Sequence, residues 1–325
     1  DSKKLLYDYT IPFPSPGAVV NTLLANVGTM NNRGVEFNLN FLVINNADFS
    51  WTAGGQISSV KTKITSLSGS FGNGISVYQL STDQVSRGSA QGRGLSGAPI
   101  TYLKVGYTPY VFWMPHYVGL DKDGNELYKV EGKDPTTDVL KASNYYTDPA
   151  PKFNYGFTSA FSYKNFGLSF FLRGVSGGKI FNNSRMVLDN INRFGGNNAT
   201  LEALTNGITN ANQASDHWLE SASYLRMENL NLSYTVKTVK LFQSLQFYVA
   251  ANNLFVITKY RGLDPEVYVT DGPGNVMFDN LGQANVSNSF LPGGSVGAYI
   301  DASYSGSGFY PKTRSYTLGV NVTLK

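Results

Sequence analysis

The end of the chain alternates strictly between apolar and polar residues. Between positions 314 and 325 every second residue is apolar, namely Tyr316, Leu318, Val320, Val322 and Leu324. The residues between them are Thr, Gly or Asn. Successive side chains of a β-strand point to opposite faces of its sheet. This segment therefore predicts a strand with one apolar face and one polar face.

The same period of two predicts seven further strands, over residues 5–11, 34–44, 49–63, 153–163, 166–174, 225–236 and 245–258. Their polar faces carry Asn, Ser, Gln, Glu and Gly, which rarely fill a dry core. We therefore expect an all-β fold, a transmembrane antiparallel β-barrel wall of about eight strands whose apolar face meets lipid. On the polar side we expect four residues to face the lumen: Glu36, Asn38, Gln56 and Arg173.

The connections between these strands alternate between short and very long. The short ones are residues 45–48, 164–165 and 237–244, and the long ones are 12–33, 64–152, 175–224 and 259–313. Outer-membrane barrels have tight periplasmic turns and extended outer loops. If the short connections are periplasmic, the C-terminus is periplasmic too. Within the long connections, helical spacing over residues 184–194 predicts one short helix.

The strand count argues against an independent barrel. About eight strands close only a very small barrel whose interior is filled by side chains, and well over half of this chain lies in loops. We therefore expect residues 1–325 to form one structural unit that is part of a larger barrel. A small independent barrel with adhesive loops and a soluble, secreted β-sandwich that binds carbohydrate are the alternatives.

The amino-acid composition limits the functions and partners that we expect for this chain. The 21 Tyr and 20 Phe are typical of the aromatic girdles of membrane barrels. A net charge of +4 without a basic cluster in the sequence argues against nucleic acid as a partner. The chain has no Cys and two His, and it has no GxSxG nucleophile elbow and no HExxH helix. We therefore expect no metal site, no cofactor and no enzymatic activity.

Aromatic residues supply the candidate binding positions. Five of them lie close together and one lies apart, namely Tyr107, Tyr110, Phe112, Trp113, Tyr117 and Trp218. Aromatic faces stack on sugar rings or pack against peptide side chains. In the competing interpretation, the five clustered residues belong to an aromatic girdle or to a loop core, and Trp218 is an interface anchor. The general composition of barrels favours this interpretation. Residues 121–126 resemble the start of a calcium loop but lack its full spacing, so we expect a hairpin turn there.

Four segments carry a resemblance to a known family. The first segment is NVGTMNNRGVEFNLN at 26–40, and the second is DPAPKFNYGF at 148–157, which continues to KNFGLSFFLRG at 164–174. The third is SYLRMENLNLSY at 223–234, together with NNLF at 252–255 and KYRGLDPE at 259–266. The fourth is YPKTRSYTLGVNVTL at 310–324. Together they resemble the SusC/RagA-like TonB-dependent outer-membrane transporters of Bacteroidetes. Two features depart from the family pattern: the chain ends in Leu324-Lys325 where a terminal Phe is usual, and the segment 105–117 is altered.

The resemblance implies a fold and a set of partners. The chain would be the C-terminal part of a barrel of about 22 strands, without the plug and the earlier strands. Its partners would be the N-terminal plug and barrel segment, the TonB complex acting through that plug, a SusD-like surface lipoprotein, and outer-membrane lipid. The imported substrate would be an oligosaccharide or a peptide, and the aromatic richness favours the glycan. For Asp264 and Glu266, within the 259–266 motif, we expect a structural role in tethering the loop.

Overall fold

The computed structural model describes residues 2–10, 22–72, 77–80, 82–90, 92, 95, 98–194, 198–239, 242–267, 299–301 and 311–324. The first strands along the chain are β1 (Ser2–Thr10), β2 (Thr22–Asn45) and β3 (Phe49–Ser66). Nine short strands follow: β4 (Gly69–Gly72), β5 (Val77–Leu80), β6 (Gln84–Ser89), β7 (Pro99–Lys104), β8 (Val111–Pro115), β9 (Tyr117–Leu120), β10 (Glu126–Val130), β11 (Lys133–Thr136) and β12 (Asn144–Thr147).

The second half of the chain repeats this alternation of long and short elements. Its first elements are β13 (Pro151–Tyr163), β14 (Phe166–Gly177), β15 (Lys179–Asn182) and helix α1 (Asn183–Leu188). Three 3-10 helices follow, at Ile191–Arg193, Leu201–Leu204 and Asp216–Trp218. The remaining strands are β16 (Leu219–Ser221), β17 (Tyr224–Val239), β18 (Phe242–Asn252), β19 (Val256–Thr258), β20 (Ile300–Asp301) and β21 (Ser315–Leu324).

The long strands form one antiparallel sheet, which we call the wall. Its order is β1-β2-β3-β13-β14-β17-β18-β21, and β19 also pairs with β17. Strand β1 pairs with the 22–30 half of β2, and β21 pairs with β18. Within the described residues, β21 pairs with neither β1 nor β2, so the wall is open. The alternative of a small closed barrel is therefore not what the described strands form.

The two faces of the wall separate as the sequence predicts. Cross-strand pairs such as Phe37 with Ile57 and Leu232 with Val249 place apolar residues beside one another on one face. This face is open: Val35 is 74% exposed and Leu318 is 82% exposed. In a β-sandwich these side chains would be sealed against a second sheet. The sandwich alternative is therefore wrong, and the predicted barrel-type sheet is confirmed.

Three predicted boundaries are wrong. Strand β2 begins at Thr22, inside the connection expected at 12–33. The strand expected over 245–258 is two strands, because the backbone turns at Asn253, whose φ is +50°. The short helix predicted at 184–194 begins at Asn183 and ends at Leu188, and a 3-10 turn follows it. The strands of the long connection at 64–152 were not predicted.

The long connections pack together into a separate folded unit, which we call the outer module. Its core joins residues from both long connections of the middle of the chain, including Ile100, Phe112, Met114, Phe181, Met186 and Trp218. These side chains are nearly or fully buried. The two connections therefore fold as one body with its own hydrophobic core. None of the helices in the described part of the chain has the length and apolar character that crossing a membrane requires.

Candidate functional site

The four residues predicted to face the lumen lie on one face of the wall. Asn38 pairs with Gln56, Gln56 with Gly156, and Gly156 with Arg173 across four neighbouring strands. Glu36 shares their face because it lies two residues before Asn38. All four border one cavity of about 280 Å³. The structure thus brings these side chains together opposite the apolar face, and their exposure to a lumen stays a prediction.

Arg173 joins this polar row to a cluster of charges. Its Nε donates to Glu228 Oε1 at 2.8 Å, and its Nη1 lies 2.7 Å from Glu266 Oε1. The hydroxyl of Tyr224 also donates to Glu266, at 2.7 Å. From the segment just before β21, Lys312 Nζ reaches Glu266 Oε2 at 2.8 Å. Three parts of the chain therefore meet at the carboxylate of Glu266.

Arg226 is the second cation from the wall strands, and its side chain is 1% exposed. Its Nη2 donates to Asp264 Oδ1 at 2.5 Å, and its Nε lies 3.1 Å from Glu266 Oε2. The complete set, which we call the wall ion cluster, consists of Arg173, Arg226, Glu228, Asp264, Glu266 and Lys312. Its three positive and three negative charges balance, as buried charges must if they are not to destabilise the fold. Asp264 and Glu266 thus make the contacts with the wall strands that their predicted tethering role requires.

The electrostatics of Glu266 follow from these contacts. Burial acts to raise the pKa of this carboxyl. The hydrogen bonds from Arg173, Lys312 and Tyr224 favour the ionised form more strongly and bring the pKa down to about 2. Glu266 is therefore a permanent anion at neutral pH and holds the loop to the wall by charge.

The aromatic candidates divide between the two faces of β8. Phe112 is fully buried in the outer-module core, whereas Trp113 points the other way and is half-buried. The Trp113 ring stacks on Tyr146, with ring centroids 4.1 Å apart, and Tyr146 lies 4.4 Å from the exposed ring of Tyr107. Lys104 Nζ lies 5.5 Å from the Tyr146 ring centroid. We call Lys104, Tyr107, Trp113 and Tyr146 the aromatic ledge.

The remaining aromatic candidates lie elsewhere. Trp218 is 3% exposed in the outer-module core, and the Arg185 guanidinium lies 5.2 Å from its ring centroid. The prediction that Trp218 is a membrane-interface anchor is therefore wrong, and both Phe112 and Trp218 are too buried to contact a ligand. Tyr117 is half-buried and stacks on His217 at 4.1 Å, which occupies one of its faces. Tyr110 is half-buried, with φ at +62°.

The residues 121–126 form the hairpin turn that the sequence predicts. Asp121 Oδ1 accepts hydrogen bonds from the backbone N–H groups of Asp123 and Asn125, at 2.9 and 2.8 Å. Gly124 takes a φ of +82°, which glycine adopts without strain. Across the part of the chain that the structure describes, no group of three or more His, Cys, Asp or Glu side chains could hold a metal ion.

Sequence reasoning missed two residues of the aromatic ledge and three residues of the wall ion cluster. Tyr146 and Lys104 complete the aromatic ledge, but the pairing of β8 with β12 that brings Tyr146 beside Trp113 leaves no local signal. Arg226, Glu228 and Lys312 complete the wall ion cluster. Arg226 and Glu228 lie within the YLRMEN stretch that carries part of the resemblance, so the two charges in that stretch were the available signal.

Comparisons with known proteins find relatives among TonB-dependent receptors. No family model matches the chain. It is 29% identical over 256 residues to the TonB-dependent receptor SusC of Bacteroides thetaiotaomicron, an alignment that covers 74% of this chain and 24% of SusC. It is 26% identical to a TonB-dependent receptor of Formosa agariphila, covering 98% of this chain and 31% of that receptor.

Solved structures of RagAB share the fold of this chain. The RagAB peptide importer in its closed-closed state matches with a TM-score of 0.67 and 20% identity, over 98% of this chain and 32% of that one. A second structure of the RagAB peptide transporter matches with a TM-score of 0.64 and 21% identity, over 96% and 31%. The chain spans less than a third of the length of these relatives. The resemblance seen in the sequence is confirmed, and the chain matches a segment of a SusC/RagA-like TonB-dependent transporter.

Proposed function

We propose that residues 1–325 form the C-terminal part of a TonB-dependent β-barrel in the outer membrane, contributing wall and extracellular loops. In this arrangement the apolar face of the wall contacts lipid and the polar row from Glu36 to Arg173 borders the lumen. The short turns and the C-terminus lie in the periplasm, and the outer module lies on the cell surface. The proposal makes this chain a structural and binding part of an importer, without enzymatic activity.

The open wall is the observation that carries this proposal. Its apolar face is exposed along several strands, and β21 is an edge strand paired only with β18 among the described residues. Residues 31–45 of β2 likewise have β3 as their one described neighbour. Long, flat edges with apolar side chains recruit further strands or aggregate. Additional barrel strands would pair with the two open edges, and lipid would cover the exposed apolar face.

The substrate and partners follow from the relatives and the aromatic ledge. RagAB is described as a peptide importer and SusC as a TonB-dependent receptor. We propose that this chain serves the import of an oligosaccharide or a peptide, which the exposed ring of Tyr107 and the half-buried ring of Trp113 contact by stacking. A SusD-like lipoprotein would cover the outer module, and the TonB complex would act through a plug domain of the same transporter.

Tryptophan fluorescence tests the membrane placement. Trp51 lies on the apolar face, stacks on Phe161 at 5.5 Å, and donates its Nε1–H to Ser159 Oγ at 2.9 Å. Trp113 lies in the outer module. In vesicles that contain brominated lipid, we expect the emission of Trp51 to be quenched and that of Trp113 to be unaffected. The Trp51→Phe variant should therefore lose most of the quenchable signal of this chain.

Trp113→Phe is the matched control, because it removes one indole and leaves the lipid-facing one in place. The control should retain the quenching of the wild-type protein. Equal quenching in wild type and Trp51→Phe would show that Trp51 does not contact lipid, and the proposed wall orientation would then be wrong.

A further inference from the structure

Three cationic side chains gather where the middle of β2 pairs with the C-terminal part of β3. Arg33 lies directly opposite Lys61, and Lys63 lies two residues further along β3, opposite Asn31. All three cationic side chains are exposed. Arg33 is 28 residues from Lys61 and 30 from Lys63 in sequence, so only the strand register reveals the three as a cluster. We call this cluster, with its neighbours Thr29 and Thr65, the basic groove.

The basic groove carries a charge that the described part of the protein does not neutralise. No ion pair among the described residues includes Arg33, Lys61 or Lys63. Like charges directly opposite each other destabilise an antiparallel pair. The wall ion cluster shows the contrasting arrangement, in which each cation has a carboxylate. An external anion would remove the repulsion at the basic groove.

The position of the groove selects the kind of anion. Arg33 shares its face with Val35 and Phe37, because side chains two residues apart lie on the same side of a strand. This is the exposed apolar face, and Arg33 lies about 7 Å along the strand beyond Val35. The short turn between β2 and β3 is at the opposite end. The cations therefore form the edge of the apolar band on the side of the long connections.

The shape and polar groups of the groove suit a phosphate. It encloses a cavity of about 600 Å³ lined by Arg33, Lys61, Lys63 and the hydroxyl residues Thr29 and Thr65. The two Thr hydroxyls meet at 2.6 Å. Arg binds phosphate oxygens with a planar fork and Lys binds them as a point charge. A phosphate here would receive several charged donors at once.

We propose that the basic groove binds the phosphate of an anionic lipid headgroup in the outer leaflet. The lipid is favoured over a free phosphate because its acyl chains would lie against Val35, Phe37 and Ile57 while its headgroup lies in the groove. One molecule would thus satisfy the apolar band and the cations together. This inference rests on the membrane placement proposed above, and its test separates the two.

The test measures lipid retention by native mass spectrometry on the natural polypeptide that carries this chain, purified in a neutral detergent. The probes are phosphatidic acid, phosphatidylcholine and inorganic phosphate. A surface cation contributes about 1 kcal/mol to attraction of an anionic lipid. The triple variant Arg33→Gln/Lys61→Gln/Lys63→Gln should therefore bind phosphatidic acid on the order of 100-fold more weakly. Its affinity for phosphatidylcholine should be unchanged.

The control variant Lys122→Gln/Lys133→Gln/Lys141→Gln removes the same charge from exposed positions of the outer module. It should bind phosphatidic acid as the wild type does. Undiminished binding by the groove variant, or inorganic phosphate binding as tight as phosphatidic acid, would overturn the lipid site. Failure of the wild type to retain any lipid or detergent would instead overturn the membrane placement itself.

Discussion

Substitution of Arg226 by Met should release the loop at 259–267 from the wall. The guanidinium is buried and holds Asp264 at 2.5 Å and Glu266 at 3.1 Å. Met fills a similar volume but leaves two buried carboxylates with one cation fewer. Removing one partner of a buried ion pair costs about 3–5 kcal/mol. We expect a loss of this size in the free energy that keeps the loop closed.

Hydrogen exchange gives this free energy locally, without requiring the whole protein to unfold reversibly. The readout is the opening free energy of amides in 259–267, where the Glu266 N–H donates to Asp264 Oδ1 at 2.9 Å. In the double variant Arg226→Met/Asp264→Asn, part of the loss should be recovered, because one of the orphaned charges is gone. With the single variant Asp264→Asn measured as well, the three values complete a double-mutant cycle that gives the coupling energy of the pair.

Arg261→Met is the matched control, since it makes the same substitution in the same loop. The side chain of Arg261 is 49% exposed and its partner is Glu202. Exposed ion pairs contribute about 0–1 kcal/mol. If Arg226→Met changes the opening free energy no more than Arg261→Met does, the wall ion cluster does not hold the loop and our reasoning is wrong.

Three further predictions follow from named contacts. The folded-state pKa of Glu266, about 2, lies below its ordinary value of 4.5, so its stabilisation of about 3 kcal/mol is complete above pH 4.5 and is lost as the pH falls toward 2. The protection of amides in 259–267, measured against the intrinsic exchange rate at each pH, should fall over that range, and it should fall less in a Glu266→Gln variant. Gly34→Ala should destabilise the wall by about 1–3 kcal/mol in denaturant unfolding, because a Cβ would lie 2.8 Å from the Ser59 carbonyl oxygen. Gly55 has open space around it, so Gly55→Ala should not destabilise the wall. Trp113→Ala should weaken substrate binding about tenfold in an equilibrium assay, whereas Leu140→Ala, at an exposed position of the outer module, should leave it unchanged.

The wall could be predicted from the sequence because its determinants are local. Alternation with a period of two fixes which residues share a face, and each wall strand carries enough positions to show it. The polar row of Glu36, Asn38, Gln56 and Arg173 could be predicted for the same reason. The end of the strand expected over 245–258 could not, because Asn253 turns the backbone within an apolar run.

The outer module and the ion cluster depend on contacts between distant residues. Phe112 and Trp113 are adjacent and both aromatic, yet Phe112 lies in the core and Trp113 is half-buried, because their side chains point to opposite faces of β8 and only packing against distant residues covers one of them. The basic groove has the same origin, since Arg33 and Lys61 become neighbours only through the register of β2 and β3. Charge counted along the sequence did not reveal it.

Single cysteine substitutions along β21 test the central claim most directly, because the chain has no Cys of its own. Leu318→Cys and Val320→Cys lie on the apolar face, and Thr317→Cys and Asn321→Cys lie on the polar face. In membranes we expect the first pair to react with a lipid-soluble thiol reagent and the second pair with a water-soluble one. Reaction of all four with the water-soluble reagent at the same rate would contradict a wall with lipid on one side and a hydrated lumen on the other.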